Sequence, residues 1–274
     1  MGLLGFELLF RLAWGSLFAL LFVSRSETSE RFVRIWWRFH LGLSVALLFM
    51  IWGQSSVTPA WKEGAFLATM VGLAGATLYS LFQARAARLV GALLIVASPW
   101  FYGPHHHLGH AINFLSSSLV LGPIFMGQFL GHWFLNVPNV HIRELMRITL
   151  FIIAGLVVKL SELVWNLATF TPRHVFSIDN MGRPLAEFVE LDAVTQLGAL
   201  GEGMLGLGFF GQIVLVSRIL WGVVAPLVLA FLVYRTVKMR STQSATGILY
   251  AMCVMVLIGE GCALYLLIHA GLYL

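Results

Sequence analysis

The residues of this chain that can do chemistry lie on apolar segments. Between His107 and Val137, closed by Pro138, one long apolar stretch carries His110, Asn113, Ser117, Gln128 and His132. At ~100° per residue of an α-helix these five fall within an arc of roughly 100°, a polar line interrupted by Phe114, Leu121 and Ile124. Three more histidines, His105, His106 and His107, stand just before it. Polar groups deep in a bilayer are costly, so such a line faces other helices or a water-filled cavity. It suits a path or site for protons, a metal, a haem or a polar headgroup.

Charged residues recur on other apolar segments. Lys159, Glu162 and Asn166 stand at i, i+3, i+7, on one helical face, where Lys159 and Glu162 can pair. Thr246, Tyr250, Cys253 and Glu260 share a face of the last apolar segment, and Glu7 and Arg11 form an i, i+4 pair in the first. Glu260 has no charged neighbour on its own helix; it is expected to be neutral, or paired with Arg218 or Lys159. Two readings stay open, buried polar pairs that fix helix register and a proton relay or headgroup site.

His106 and His110 form an i, i+4 pair, a spacing that holds Zn²⁺ or Cu²⁺, but no carboxylate or cysteine lies beside them. A quinone or proton-entry role and an exposed histidine patch are the alternatives. A haem b needs axial histidines inside the bundle. His110 and His132 are 22 residues apart, ~33 Å along a helix, too far to share one haem. His40 lies level with His132, and His269 with His110. Gly127 and Gly131 make a GxxxG pair for close packing against a neighbouring helix.

The elements that must position these groups follow from composition. The chain has 274 residues, 59% hydrophobic and 11% charged, with a mean hydropathy of +0.88. That excludes an ordinary soluble domain and defines an all-α polytopic membrane bundle, a single transmembrane domain over 1–274. A membrane β-barrel is excluded because the runs are continuous rather than alternating. Eight membrane helices are expected, at about 5–23, 38–54, 63–82, 87–103, 108–135, 145–168, 207–234 and 244–272. The first lacks a basic n-region and a clear cleavage site and reads as a retained helix, not a signal peptide. Cys253 and Cys262 point to opposite faces, ~13 Å apart along one helix, so they do not bridge.

The net charge of +5 signals topology, not nucleic acid. Arg25, Arg31, Arg34 and Arg38 follow helix 1, Arg85 and Arg88 follow helix 3, Arg143 and Arg147 follow helix 5, and Arg235, Lys238 and Arg240 follow helix 7. The alternate loops hold only Lys62, Arg173 and Arg183. By the positive-inside rule both termini face away from the cytoplasm, as in a bacterial inner-membrane protein. The long acidic loop at about 169–206, with Asp179, Glu187, Glu190, Asp192 and Glu202, is then external and offers a surface for an outside partner. Trp36, Trp37, Trp52, Trp61, Trp100 and Trp133 form an aromatic belt beside membrane lipid.

No HExxH, GxSxG or Walker pattern occurs, so the common membrane hydrolase and pump chemistries lack their signatures. The last helix, Val256-Leu257-Ile258-Gly259-Glu260 followed by Tyr265-Leu266-Leu267, resembles the final helices of quinol-interacting membrane anchors of molybdopterin oxidoreductases, of the polysulfide-reductase type. The resemblance implies a haem-free anchor that exchanges electrons or protons with quinone and docks other redox-complex subunits. No site residues carry over from it. The expectation from the residues is a quinone site near the outer ends of helices 5, 6 and 8. There His110 exchanges the quinol proton, Lys159, Glu162 and Glu260 form a relay, and Asn113, Ser117, Gln128, His132 and Tyr250 line the site. A proton-coupled transporter and a non-catalytic assembly subunit are the alternatives.

Overall fold

The computed structural model describes residues 2–24, 28–53, 59–82, 84–101, 108–137, 141–168 and 208–270. The histidines His105, His106 and His107 and the 169–206 loop lie outside the described residues, as do the side chains of His110 and His269. The metal pair His106–His110, the loop partner and the His110–His269 pairing therefore fall outside them too.

Among the described residues every regular element is helical. They are α1 (Gly2–Leu20), α2 (Glu30–Trp52), α3 (Pro59–Leu81), α4 (Arg85–Ala97, continued by a 3₁₀ turn Ser98–Phe101), α5 (Leu108–Asn136), α6 (Ile142–Ala168), α7 (Gly208–Ile219, a π-helical turn Leu220–Val224, then Ala225–Lys238) and α8 (Thr242–Ala270). Six of them, α2, α3, α5, α6, α7 and α8, contain stretches long and apolar enough to cross a membrane. Of the other two, α1 has 19 residues, and α4 has 13 before a 3₁₀ turn at Ser98–Phe101.

α2 begins eight residues earlier than the hydropathy pattern predicts. The Ser29 hydroxyl accepts the Phe32 N–H at 3.4 Å and caps the helix there. Arg31, Arg34 and Arg38 consequently sit as exposed side chains on the first turns of α2 rather than in a loop. His40 moves with them: it lies ten residues into α2, not at its end.

Contacts fix how the helices run. Asn113 meets Glu162, and Gly127 meets Ile148, so α5 and α6 are antiparallel. Gly131 packs on Thr246 and Gly127 on Leu249, so α5 and α8 are antiparallel. Arg218 meets Glu260 and Phe210 meets Tyr265, so α7 and α8 are too. The α1 residues Arg11 and Gly15 meet Asn113 and Ser118, so α1 and α5 run parallel. One end of the bundle, here called upper, is where α1, α5 and α7 begin and α6 and α8 end.

α5 is the central helix, packed on α1, α6 and α8. Its approach to α1 is backbone against backbone. A Cβ on Gly15 would strike the Ser118 carbonyl, and one on Gly122 would strike Gly15. Small residues replace side-chain packing here, as membrane helices use them. The GxxxG pair also packs as its spacing predicts, against α8 and α6. The large apolar core fills the lower half, with Leu121, Ile124, Leu130, Ile148, Ile152, Leu249, Met252 and Val256 at its centre.

Candidate functional site

In the upper half the helices α1, α5, α6, α7 and α8 converge on six ionisable side chains. Three are cations, Arg11, Lys159 and Arg218, and three are carboxylates, Glu7, Glu162 and Glu260. The formal charges cancel, three against three. Arg11, Lys159, Arg218 and Glu260 are fully buried, while Glu7 and Glu162 each keep 8% exposure.

Helical periodicity sets these groups in two tiers. Counted from the upper helix ends Gly2, Leu108 and Ala168, residues Arg11, Ser117 and Lys159 lie nine residues in. Arg218 and Glu260 lie ten in from Gly208 and Ala270. At 1.5 Å per residue that is about 13–15 Å, near the middle of a ~30 Å hydrocarbon layer. Glu7, Asn113 and Glu162 sit five or six residues in, one turn nearer the upper face.

The bonds run continuously between the tiers. Glu7 accepts from Arg11 Nε at 3.2 Å and Nη2 at 3.1 Å. Arg11 Nη1 donates to Asn113 Oδ1 at 2.8 Å and to Ser117 Oγ at 3.0 Å. Asn113 Nδ2 donates to Glu162 Oε1 at 3.2 Å. Lys159 Nζ donates to Glu162 Oε2 at 2.9 Å, to Ser117 Oγ at 3.0 Å and to Ser116 Oγ at 3.1 Å. Ser116 also donates to Glu162 Oε2. The result is a closed circuit through Arg11, Asn113, Glu162, Lys159 and Ser117. Glu260 joins it from below, 3.6 Å from Arg11 and 2.8 Å from Arg218.

Such an assembly keeps six ionisable groups in a low-dielectric interior because every charge faces an opposite one and the serine and asparagine groups fill the gaps. Chemically it offers a chain of exchangeable protons. Two carboxylates stand at its partly exposed upper tier, and one carboxylate stands at its deepest point.

α7 is irregular beside this point. The π turn Leu220–Val224 begins two residues after Arg218, and Pro226 stands two residues beyond it. π turns add a residue to a helix and re-aim its side chains. Gly222, within the turn, lies against the Gly259 backbone and the Arg218 guanidinium. A Cβ on Gly259 would occupy the Gly222 backbone, so α7 and α8 touch one residue before Glu260.

The structure brings together Asn113, Ser117, Lys159, Glu162 and Glu260 of the expected site residues. It separates three others. Tyr250 is 44% exposed, because the buried stripe of α8 runs through Leu249, Met252 and Val256, about 100° away. His132 is exposed at the lower end of α5, and Gln128 lies in the lower half, eleven residues below Ser117. The polar line of α5 is therefore not one surface. α5 is buried on nearly all sides in its middle, with Phe114, Leu121 and Ile124 as enclosed as Ser117.

His40 and His132, the histidines paired above for a haem, sit in different surroundings, His132 being exposed at the lower end of α5. His40 is enclosed, its Nδ1 within 2.9 Å of the Trp36 carbonyl and its Nε2 within 2.6 Å of Ser16 Oγ, so both ring nitrogens are engaged. Among the described residues no group of three or more His, Cys, Asp or Glu could hold a metal ion. Sequence reasoning missed Ser116 as a network member and the separate Ser16–His40 bond between α1 and α2. The run Ser116-Ser117-Ser118 in a membrane helix was the available signal. Compared with known proteins, the chain matches no family model, no curated protein and no solved structure.

Proposed function

We propose that this protein is the membrane subunit of a respiratory-type electron-transfer complex that exchanges protons with quinone. It crosses a bacterial inner membrane eight times, with both termini on the non-cytoplasmic side. The single observation that carries the reading is the upper network, a set of hydrogen bonds linking the tier of Glu7 and Glu162 to Arg11 and Lys159, with an ion-pair step from Arg11 to Glu260. Intramembrane ionisable groups at this density mark proton pathways and coupling sites. α1 with its 19 residues and α4 with its 3₁₀ extension complete the eight spans. On this orientation the upper face is external, where the 169–206 loop meets a redox partner.

When quinol is oxidised it loses two electrons and two protons. The electrons pass to an iron–sulfur or haem carrier in a partner subunit, and the protons enter the network. Glu260 is the deepest proton acceptor, held ready by Arg218. Lys159 and Glu162 pass protons to the upper tier.

The test is quinol-dependent turnover in native membranes. Glu260→Gln keeps the shape of the side chain and removes its charge, and Lys159→Met removes the central donor. A fall of at least tenfold in both, with the complex still assembled, is expected. Unchanged rates with intact assembly sink the assignment.

One observation favours a second reading, a proton-coupled transporter. The π turn of α7 interrupts a membrane helix beside its buried charge pair, and transporters place such interruptions at their sites. Proton-linked flux in liposomes without any redox donor would select it.

A further inference from the structure

The lower ends of α6 and α7 carry neighbouring basic stripes. We propose that the seam between them binds the headgroup of an anionic phospholipid. This site stands apart from the quinone reading and does not depend on it.

α6 packs on the second half of α7. α6 ends and α7 begins at the upper face, so the start of α6 lies level with the end of α7. Leu145, Ile148 and Ile152 of α6 share the buried core with Val233 and Val237 of α7. About half a helical turn from those side chains, each helix has an exposed stripe, and the two stripes have the same order. Counted from the lower end inward, α6 presents Arg143, Arg147 and Leu150, and α7 presents Lys238, Arg235 and Phe231. Spacings of three and four residues hold each set on one helix face. Two packed helices thus turn two cations and then one apolar side chain outward, side by side.

The depth fits a headgroup. The apolar span of α6 begins at Ile142 and has 26 residues, and that of α7 ends at Lys238 and has 30. At 1.5 Å per residue they run ~39 Å and ~45 Å, past a ~30 Å hydrocarbon layer, so their lower turns reach the level of lipid phosphates. Leu150 and Phe231 stand one turn deeper, where acyl chains begin. The Arg235 guanidinium lies 5.2 Å from the centroid of the Phe231 ring, so it leans toward the bilayer rather than out to water.

Charge selects the occupant. Among the described residues, Glu144 is the one carboxylate in the lower turns of α6, α7 and α8. It is fully buried, accepts the Ser24 N–H at 2.7 Å and pairs with Arg147. Four outward cations against one enclosed carboxylate leave the stripes positive. Basic clusters between membrane helices at this level hold anionic headgroups.

Arg240 supports the same reading independently. The turn after α7 closes with the Ser241 N–H on the Thr236 carbonyl at 3.0 Å and the Arg240 N–H on the Val237 carbonyl at 2.9 Å. That is a Schellman helix end, whose left-handed position glycine usually fills. Arg240 holds it at φ 59° and is exposed. A cation kept where L side chains are strained serves something other than the turn, and such strain gathers at binding sites.

The full-length protein, delipidated in mild detergent, is titrated with phosphatidylglycerol and separately with phosphatidylcholine, and retained lipid is counted by native mass spectrometry. Phosphatidylglycerol should be retained in preference to phosphatidylcholine. Arg143→Gln with Arg235→Gln is expected to weaken that retention roughly twenty-five-fold, a factor of about five for each cation beside an anionic headgroup. Arg31→Gln with Arg34→Gln removes the same charge from exposed positions on α2 and should leave retention nearly unchanged. Arg240→Gly is expected to raise the melting temperature of the lipid-free protein while weakening retention, a combination that a structural role does not give. Should the double seam variant fail to fold, Lys238→Gln and Arg240→Gly decide. Equal retention of the two lipids, full retention in the seam variants, or an equal loss in the α2 variant overturns the site.

Discussion

In the upper half of the bundle, the side chains that α1, α5, α6, α7 and α8 turn toward one another are Glu7, Arg11, Ser117, Lys159, Glu162, Arg218 and Glu260. In the lower half the facing residues of the same five helices are Leu20, Leu121, Ile124, Ile152, Val233, Leu249 and Val256. The difference teaches which forces hold a membrane bundle. Lipid tails are as apolar as leucine, so the lower half gains from close packing more than from leaving water. The upper half has directional partners, and the loss of one strands another in a medium that cannot solvate it. The lower half should therefore yield gradually to substitution and the upper half sharply.

The largest effect should come from stranding a charge. Arg218→Leu removes the 2.8 Å ion pair of Glu260 and leaves its direct cationic contact to Arg11 at 3.6 Å. A cost of about 3–5 kcal/mol is expected, read by unfolding in mixed micelles. Arg218→Leu with Glu260→Leu should recover most of it, since an apolar pair replaces the ion pair. A double variant no better than the single one breaks the contrast between the halves.

Next comes the lower core. Leu249→Ala opens space beside Gly127 and should cost about 2–3 kcal/mol, the low end for buried leucine. A cost above that of Arg218→Leu would reverse the comparison.

Gly259→Ala tests the close contact of α7 and α8 beside Glu260. The added methyl would meet the Gly222 backbone, so α7 and α8 must part, at about 1–3 kcal/mol for such overpacking. Glu260 lies one residue further on. Turnover should fall in this variant even where the protein remains folded. Full turnover would show that the Arg218–Glu260 contact tolerates movement.

The sequence made some of this legible. Lys159 and Glu162 show their pairing through i, i+3 spacing, and Gly127-x-x-x-Gly131 shows its packing face, because both are local relations along one helix. Glu260 was readable as a buried charge in need of Arg218 or Lys159, since hydropathy places it deep. The polar line of α5 misled for a physical reason. A helix packed on three neighbours buries nearly every side, so a polar arc no longer marks one cavity, and His132 diverges from Ser117. The start of α2 was hidden because its first turns carry arginines that hydropathy reads as loop, and hydropathy does not register the Ser29 hydroxyl cap. The Ser16–His40 bond joins residues 24 apart on different helices, which no periodicity reveals. Nor does composition predict the π turn that aims Arg218.

The smallest effects sharpen the comparison most, because they separate position from chemistry. Ser117→Ala removes an oxygen that accepts from both Arg11 and Lys159. It should cost about 1–2 kcal/mol, the price of two under-satisfied donors. His132→Ala and Tyr250→Phe change more conspicuous residues, yet both face outward. Each should stay within about 0.5 kcal/mol, as surface substitutions do. The three proteins can be compared in one unfolding series and one turnover assay. If His132→Ala matches or exceeds Ser117→Ala in either, then α5 carries a functional surface at its lower end, and the upper network is not the seat of the chemistry.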